Sequence, residues 1–242
     1  MNIELRKHLA RELRGLMKPR VLSSEQLEAI IKKHQPNMSH PYFYKVINEL
    51  SALGEVVKLQ NKIYINKMAT PSVNANELAS YLVPGAVISF HKALEACGAM
   101  NNYSNLVTAY YPVKVYGWNS GKVTDIKTDF GNFWIVRLPD HIANLNGQRP
   151  EHQLVAHLPY AIATPEKALC DWIYVANQEI IPIGIGNGPP LDLDLSVINL
   201  KRTKEIAREM NISEHLFDYL EAYKQCNSSE STKNNKSNDL GF

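Results

Sequence analysis

Residues 39–65 read SHPYFYKVINELSALGEVVKLQNKIYI, and this stretch decides the architecture of the N-terminal part of the chain. Phe43, Ile47 and Leu50 recur at i, i+4 and i+7, the stripe of a helix with one buried face. Ser39 or His40 stands at its cap, and Pro41 sits in the first turn, where a missing N–H costs nothing. Gly54 closes it, suited to the left-handed position just past a helix end. Residues 55–59 and 63–65 are short β-rich runs about the polar turn Gln60-Asn61-Lys62, a hairpin pattern.

Upstream, Leu5, Leu9, Leu13 and Leu16 give residues 3–16 a second helical stripe, with Gly15 and Pro19 marking its end. Ser23 precedes Gln26 by three residues, a capping box opening a helix to about Lys33 with Leu27, Ile30 and Ile31 inward. Gln35-Pro36-Asn37 is a turn. Helix, helix, turn, helix, hairpin is the order of a winged helix-turn-helix.

Charge agrees with that reading. Residues 1–67 hold twelve Lys or Arg against six Asp or Glu, whereas residues 68–242 hold fourteen against eighteen. A compact basic module on an acidic body suggests a DNA reader joined to something else. The inward stripe leaves Ser39, His40, Tyr42, Lys45 and Asn48 to face a major groove, with Lys58 and Lys62 of the wing beside the backbone or minor groove. Winged helices also dock proteins, and the nearby acids Glu49 and Glu55 keep that alternative open.

The remainder reads as a mixed α/β domain, so the expected fold class is α/β (α+β). The expected domains are 1–67, a linker at 68–75 (MATPSVNA), an α/β domain over 76–225, and a disordered Ser- and Asn-rich tail over 226–242. Within the second domain, helices are expected at 77–83, 91–97, 164–175, 195–210 and 212–224. Strands are expected at 86–90, 106–115, 121–128, 133–138 and 154–162. Thr164 caps its helix, Pro165 takes the first position, and Glu166 meets the positive end of the dipole.

Chemistry is harder to find. Three cysteines at wide spacing, Cys97, Cys170 and Cys226, form no disulfide framework or zinc pattern and read as reduced cytosolic thiols. No apolar run reaches the ~20 residues of a membrane helix. The GIGNG run at 184–188 is followed by Pro189-Pro190, which forbids the helix that a dinucleotide fingerprint requires. His152 and His157, beside Glu151, fall on opposite faces of a strand. Asp192 and Asp194 can share one face but lack a third acidic partner. The expectation is no enzyme, no metal and no cofactor.

Two segments carry a family resemblance. Residues 83–98, VPGAVISFHKALEACG, resemble the opening of the second domain of AbiEi-type antitoxins, where a strand leads into a helix with a Ser, an Ala-Leu pair and a closing Gly. Residues 163–171, ATPEKALCD, are similar to its second hallmark, a Pro-Glu-Lys-Ala segment with a later Asp. The resemblance spans roughly residues 5–220. It implies an antitoxin of a type IV toxin–antitoxin system, tied to phage defence, acting in the cytoplasm. It also implies repression of the protein's own promoter repeats in double-stranded DNA, and neutralisation of a nucleotidyltransferase-like toxin encoded next door. Lys167 and Asp171 stand at i and i+4 and can simply pair, with Ala168, Leu169 and Trp172 in the core. If the segment is functional instead, Lys167 and Asp171 are its exposed antitoxin-surface candidates. A stand-alone regulator and an enzyme targeted by its winged helix are the competing readings.

Overall fold

The structure is a computed structural model that describes residues 2–16, 18–101, 104–113, 123–145, 160–178 and 188–237. The chain divides into two units, Met1–Leu82 with Thr128–Phe130, and Val83–Lys127 with Gly131–Phe242. The architecture is mixed α/β, with a winged helix-turn-helix in the first unit and a mixed α/β domain in the second.

In the first unit, α1 (Ile3–Leu13) buries Leu5, Leu9 and Leu13. It is followed by β1 (Gly15–Leu16), β2 (Val21–Ser23), α2 (Ser24–Lys32) and α3 (His40–Ala52). The wing is β3 (Val56–Gln60) and β4 (Ile63–Asn66), and the sheet order is β2-β4-β3. The expected capping box is present: Gln26 N–H donates to Ser23 Oγ at 3.2 Å and Ser23 N–H to Gln26 Oε1 at 2.8 Å. Gly54, at φ 67, ends α3 with Glu55 N–H on Leu50 O and its own N–H on Ser51 O. The apolar faces of α1, α2 and α3 meet in one core with Leu22, Val56 and Tyr64.

Three expectations fail here. Leu16 does not extend the α1 stripe; the helix stops at Leu13, Gly15 adopts φ 110, and Leu16 is 72% exposed. Residues 68–75 are not a linker, because β5 (Ala69–Thr70) pairs in parallel with β1 and α4 (Ala75–Leu82) follows inside the same unit. The unit therefore extends past residue 67 to Leu82. Buried Asn66 is the reason the chain stays there. Its Nδ2 donates to Leu13 O at 2.8 Å and Pro19 O at 3.0 Å, and its Oδ1 accepts from Met68 N–H at 3.0 Å. Arg20 then pairs with buried Glu77 of α4 at 2.8 Å.

The second unit contains a four-stranded sheet in the order β6-β7-β9-β8. Its strands are β6 (Val87–Ile88), β7 (Leu106–Val113), β8 (Val123–Thr128) and β9 (Gly131–Pro139). β7 and β9 run parallel from Leu106↔Asn132 to Val113↔Pro139, while β6 is antiparallel to β7. Phe133, Trp134, Ile135 and Val136 are consecutive buried residues of β9, the pattern of a strand covered on both faces. The helices are α5 (Phe90–Ala96), α6 (Asp140–Ala143), α7 (Pro165–Asn177), α8 (Leu200–Glu209) and α9 (Ser213–Ser237), with a 3-10 turn at Leu195–Val197. The expected helix over 195–210 is thus interrupted before Leu200. The tail expected to be disordered from 226 is helical as far as Ser237, an unbroken continuation of α9. Most of the expected strand 154–162 lies outside the described residues, though Ile162 bridges to Ile88.

Removing the Asn66 amide orphans a buried carbonyl and a buried N–H at once. Asn66→Ala is expected to lower unfolding free energy by about 2–3 kcal/mol in urea titrations followed by fluorescence.

Candidate functional site: an exposed helix and wing, and a buried charge pair

The solvent face of α3 follows from its buried face. Phe43, Val46, Ile47 and Leu50 point inward, which turns Ser39, His40, Tyr44, Lys45 and Asn48 outward. Ser39 holds the N-cap position, yet its hydroxyl makes no capping bond. Tyr42 is only partly exposed, because it packs against the core on one flank of the buried stripe. Tyr44, on the opposite flank, is 45% exposed and stacks edge-on with His40 at 4.9 Å. The sequence reading missed it, though positions 40, 44 and 48 form the outward counterpart of the buried stripe.

The cations of this unit sort into two groups. Arg6, Lys7, Arg20, Lys32 and Lys33 each pair with a carboxylate. Exposed Lys45 and Lys58 form no ion pair among the described residues, and neither do Arg11 of α1 and Arg14 just past its end. Lys62 occupies the wing turn at φ 61 and is exposed. Glu25 stays below the usual carboxylate range, chiefly through its bond with Ser23, with the Lys62 charge adding to the effect. Lys45 and Lys58 are therefore free to meet an outside anion, while the Lys62 charge also acts on Glu25.

In the second unit the two segments singled out by the resemblance lie against each other. Ile88 N–H donates to Ala161 O and Ala163 N–H to Ile88 O, at 2.9 and 2.8 Å. Ser89 Oγ donates to Asp171 Oδ2 at 2.7 Å, and Lys167 Nζ donates to Asp171 Oδ1. Lys167 and Asp171 are each 0% exposed, which overturns their assignment as an antitoxin surface. The i, i+4 spacing pairs them on α7, but inside the domain. Burial pushes the Asp171 carboxyl up, and the Lys167 ammonium and Ser89 hydroxyl pull against that shift. The ammonium also sits 4.9 Å from the centre of the Tyr110 ring. Burial holds the Tyr110 phenol far above its ordinary value, and its hydroxyl has no partner among the described residues.

The local backbone serves this cluster. Ser89 is the N-cap of α5, yet its hydroxyl is spent on Asp171 and caps nothing. Thr108 of β7 substitutes, accepting from Lys92 N–H at 3.3 Å and donating to Ser89 O at 2.8 Å. Phe90 follows at φ 58, a conformation that costs a bulky residue about 1–3 kcal/mol. It turns Ser89 toward α7 and His91 toward β7. His91 Nε2 donates to Leu106 O at 3.2 Å, and burial lowers the imidazole pKa. Thr164 Oγ1 caps Lys167 N–H at 3.4 Å, and Glu166 Oε1 accepts from Asn199 N–H at 3.1 Å. Each polar member of the Thr-Pro-Glu-Lys run thus has a structural bond.

The remaining candidates hold little. Asp192 and Asp194 line one cleft of about 290 Å3 with residues 98–101, but Asp194 Oδ1 is engaged by Ser196 N–H at 2.9 Å. No group of three His, Cys, Asp or Glu among the described residues is placed to hold a metal. Glu151, His152, His157 and residues 184–187 lie outside the described residues. Cys97, Cys170 and Cys226 form no disulfide among the described residues, and burial raises the Cys97 and Cys170 pKa values. No described helix is long and apolar enough to cross a membrane.

No family model and no curated protein matches the chain. Among solved structures, it is similar to a crystal structure of the RV2827C protein from Mycobacterium tuberculosis, with a TM-score of 0.53 and 14% identity. That likeness covers 89% of this chain and 78% of the other, and at this identity it speaks to the fold alone.

Lys167→Met alone leaves a carboxylate buried without its cation and is expected to cost about 3–5 kcal/mol in urea unfolding. Adding Asp171→Leu is expected to recover most of that loss, because the double variant buries no unpaired charge. Tyr110→Phe removes a hydroxyl without a hydrogen-bond partner among the described residues and is expected to leave stability unchanged or slightly raised.

Proposed function

We propose that the chain is a DNA-binding autorepressor and antitoxin of a type IV toxin–antitoxin pair, working in the cytoplasm without a cofactor and without catalysis. The observation that supports DNA binding is the set of exposed cations free of ion pairs among the described residues, Lys45 on α3 and Lys58 on the wing, with Asn48 and His40 also exposed on α3. In this reading α3 enters the major groove. Asn48 is suited to a bidentate bond with adenine, and Lys45 and Ser39 to phosphates or base edges. The wing lays Lys58 and Lys62 along the backbone. Occupied promoter repeats would exclude polymerase.

The antitoxin role rests on the resemblance at residues 83–98 and 163–171. Their close association in one unit supports treating the two segments as parts of one fold. Their buried charges offer no contact surface, so toxin neutralisation has to use other residues of this unit or proceed without contact.

Lys45→Ala and Lys62→Ala are each expected to weaken binding to the gene's own upstream duplex. Each should also flatten the dependence of log affinity on log salt by about one unit. Unchanged affinity and slope in both variants would remove the groove assignment. Antitoxin function is read separately, by inducing the neighbouring reading frame with and without the full chain. Rescue of growth is expected, and rescue should survive Lys45→Ala. A harmless neighbour would leave a stand-alone regulator.

A further inference from the structure

Helices α8 and α9 meet at a tight reversal. Asn211 takes φ 58, Ile212 N–H bonds Ala207 O at 2.9 Å, and Asn211 N–H bonds Arg208 O at 3.1 Å. This closure leaves an open groove of about 310 Å3 between the two helices. Its apolar floor is Ala207, Leu216, Phe217 and Leu220. Phe217 is 62% exposed, the most exposed aromatic among the described large apolar residues. Leu216, its neighbour, is buried at 2% and holds α9 against the domain, so the exposure of Phe217 is not needed for docking that helix.

The rim is basic. Lys204 and Arg208 stand at i and i+4 on α8, with exposed Lys201 one turn earlier. Like charges at that spacing repel by a few tenths of a kcal/mol. Neither Lys204 nor Arg208 has an ion pair among the described residues. On α9, Lys224 closes the groove, and Glu221, the single carboxylate in its lining, already bonds Lys224 at 2.7 Å. An apolar floor edged on the α8 side by two unpaired cations calls for an apolar stripe with carboxylates along one flank. Duplex nucleic acid would satisfy Lys204 and Arg208 but present only its sugar-phosphate exterior to Phe217 and Leu220. From Ser213 to Lys224 the groove runs along about three turns of α9, enough for a helix to seat side chains at i, i+3 or i+4, and i+7.

We propose that this groove docks an acidic amphipathic helix of a partner protein, with Phe217 as the apolar anchor and Lys204 and Arg208 as the charge contacts. The assignment goes beyond the antitoxin reading and stands without it, because the groove's chemistry is independent of what unit 1 binds.

The test uses the full chain and a labelled synthetic helical peptide with a leucine stripe flanked by glutamates. Its counterpart carries lysines in place of the glutamates. Fluorescence anisotropy is expected to show binding of the acidic peptide only. Phe217→Asp and the double change Lys204→Glu with Arg208→Glu should each weaken it by about tenfold or more. Both sites are exposed, and unchanged urea midpoints would establish that the variants fold. No binding, equal binding of both peptides, or binding indifferent to the substitutions overturns the proposal. So does sedimentation showing a wild-type dimer that Phe217→Asp dissolves, since a second copy would then fill the groove.

Discussion

The ion pair between Lys167 and Asp171, shut away from water, is the constraint around which the second unit is arranged. Withdrawing two charges from solvent is expensive, and their mutual attraction compensates only when their other hydrogen-bonding capacity is also met. Ser89 supplies that bond, which means α5 must begin where its first residue's neighbour can reach α7. Because the Ser89 hydroxyl is used there, α5 loses its own cap, and Thr108 from β7 takes over. One electrostatic requirement thereby ties α5, β7 and α7 together. The left-handed backbone of Phe90 is a local cost of meeting it.

The first unit is organised by a different economy of charge. Five of its cations are neutralised by carboxylates of the same unit, and one of those pairs, Arg20 with Glu77, secures α4. Lys45 on α3 and Lys58 on the wing form no such pair among the described residues. A basic composition alone does not separate charges that brace a fold from charges that face outward; the pairing pattern does.

Helix ends were legible in the sequence because their chemistry is local. Ser23 with Gln26, Gly54, Gly98, and Thr164 with Pro165 each mark a boundary that depends on neighbours within four residues. Features set by distant parts of the chain were not legible. Leu16 continues a helical stripe, but Gly15 pairs with Ala69, 54 positions away, and the helix ends first. Residues 68–75 resemble a linker in composition, yet Asn66 and Glu77 hold that segment in place through Leu13 and Arg20. Lys167 and Asp171 have the spacing of a surface ion pair, and their burial depends on Ser89 and Tyr110 in other elements. Tyr42 and Tyr44 flank the same stripe, and only the packing around Phe43 distinguishes the partly buried one from the exposed one.

The hydrogen bond from Ser24 N–H to Lys62 O, at 2.9 Å, joins the tip of the wing to the start of α2. With Ser23 opposite Ile63 in the sheet, the wing turn is anchored at its own apex. A hairpin held in this way behaves as a fixed jaw. If unit 1 grips a duplex, the span between α3 and Lys62 is set in advance, and a site of unfavourable groove width must be met by distortion of the DNA. Discrimination would then come partly from how readily each sequence deforms, including at base pairs that no side chain touches.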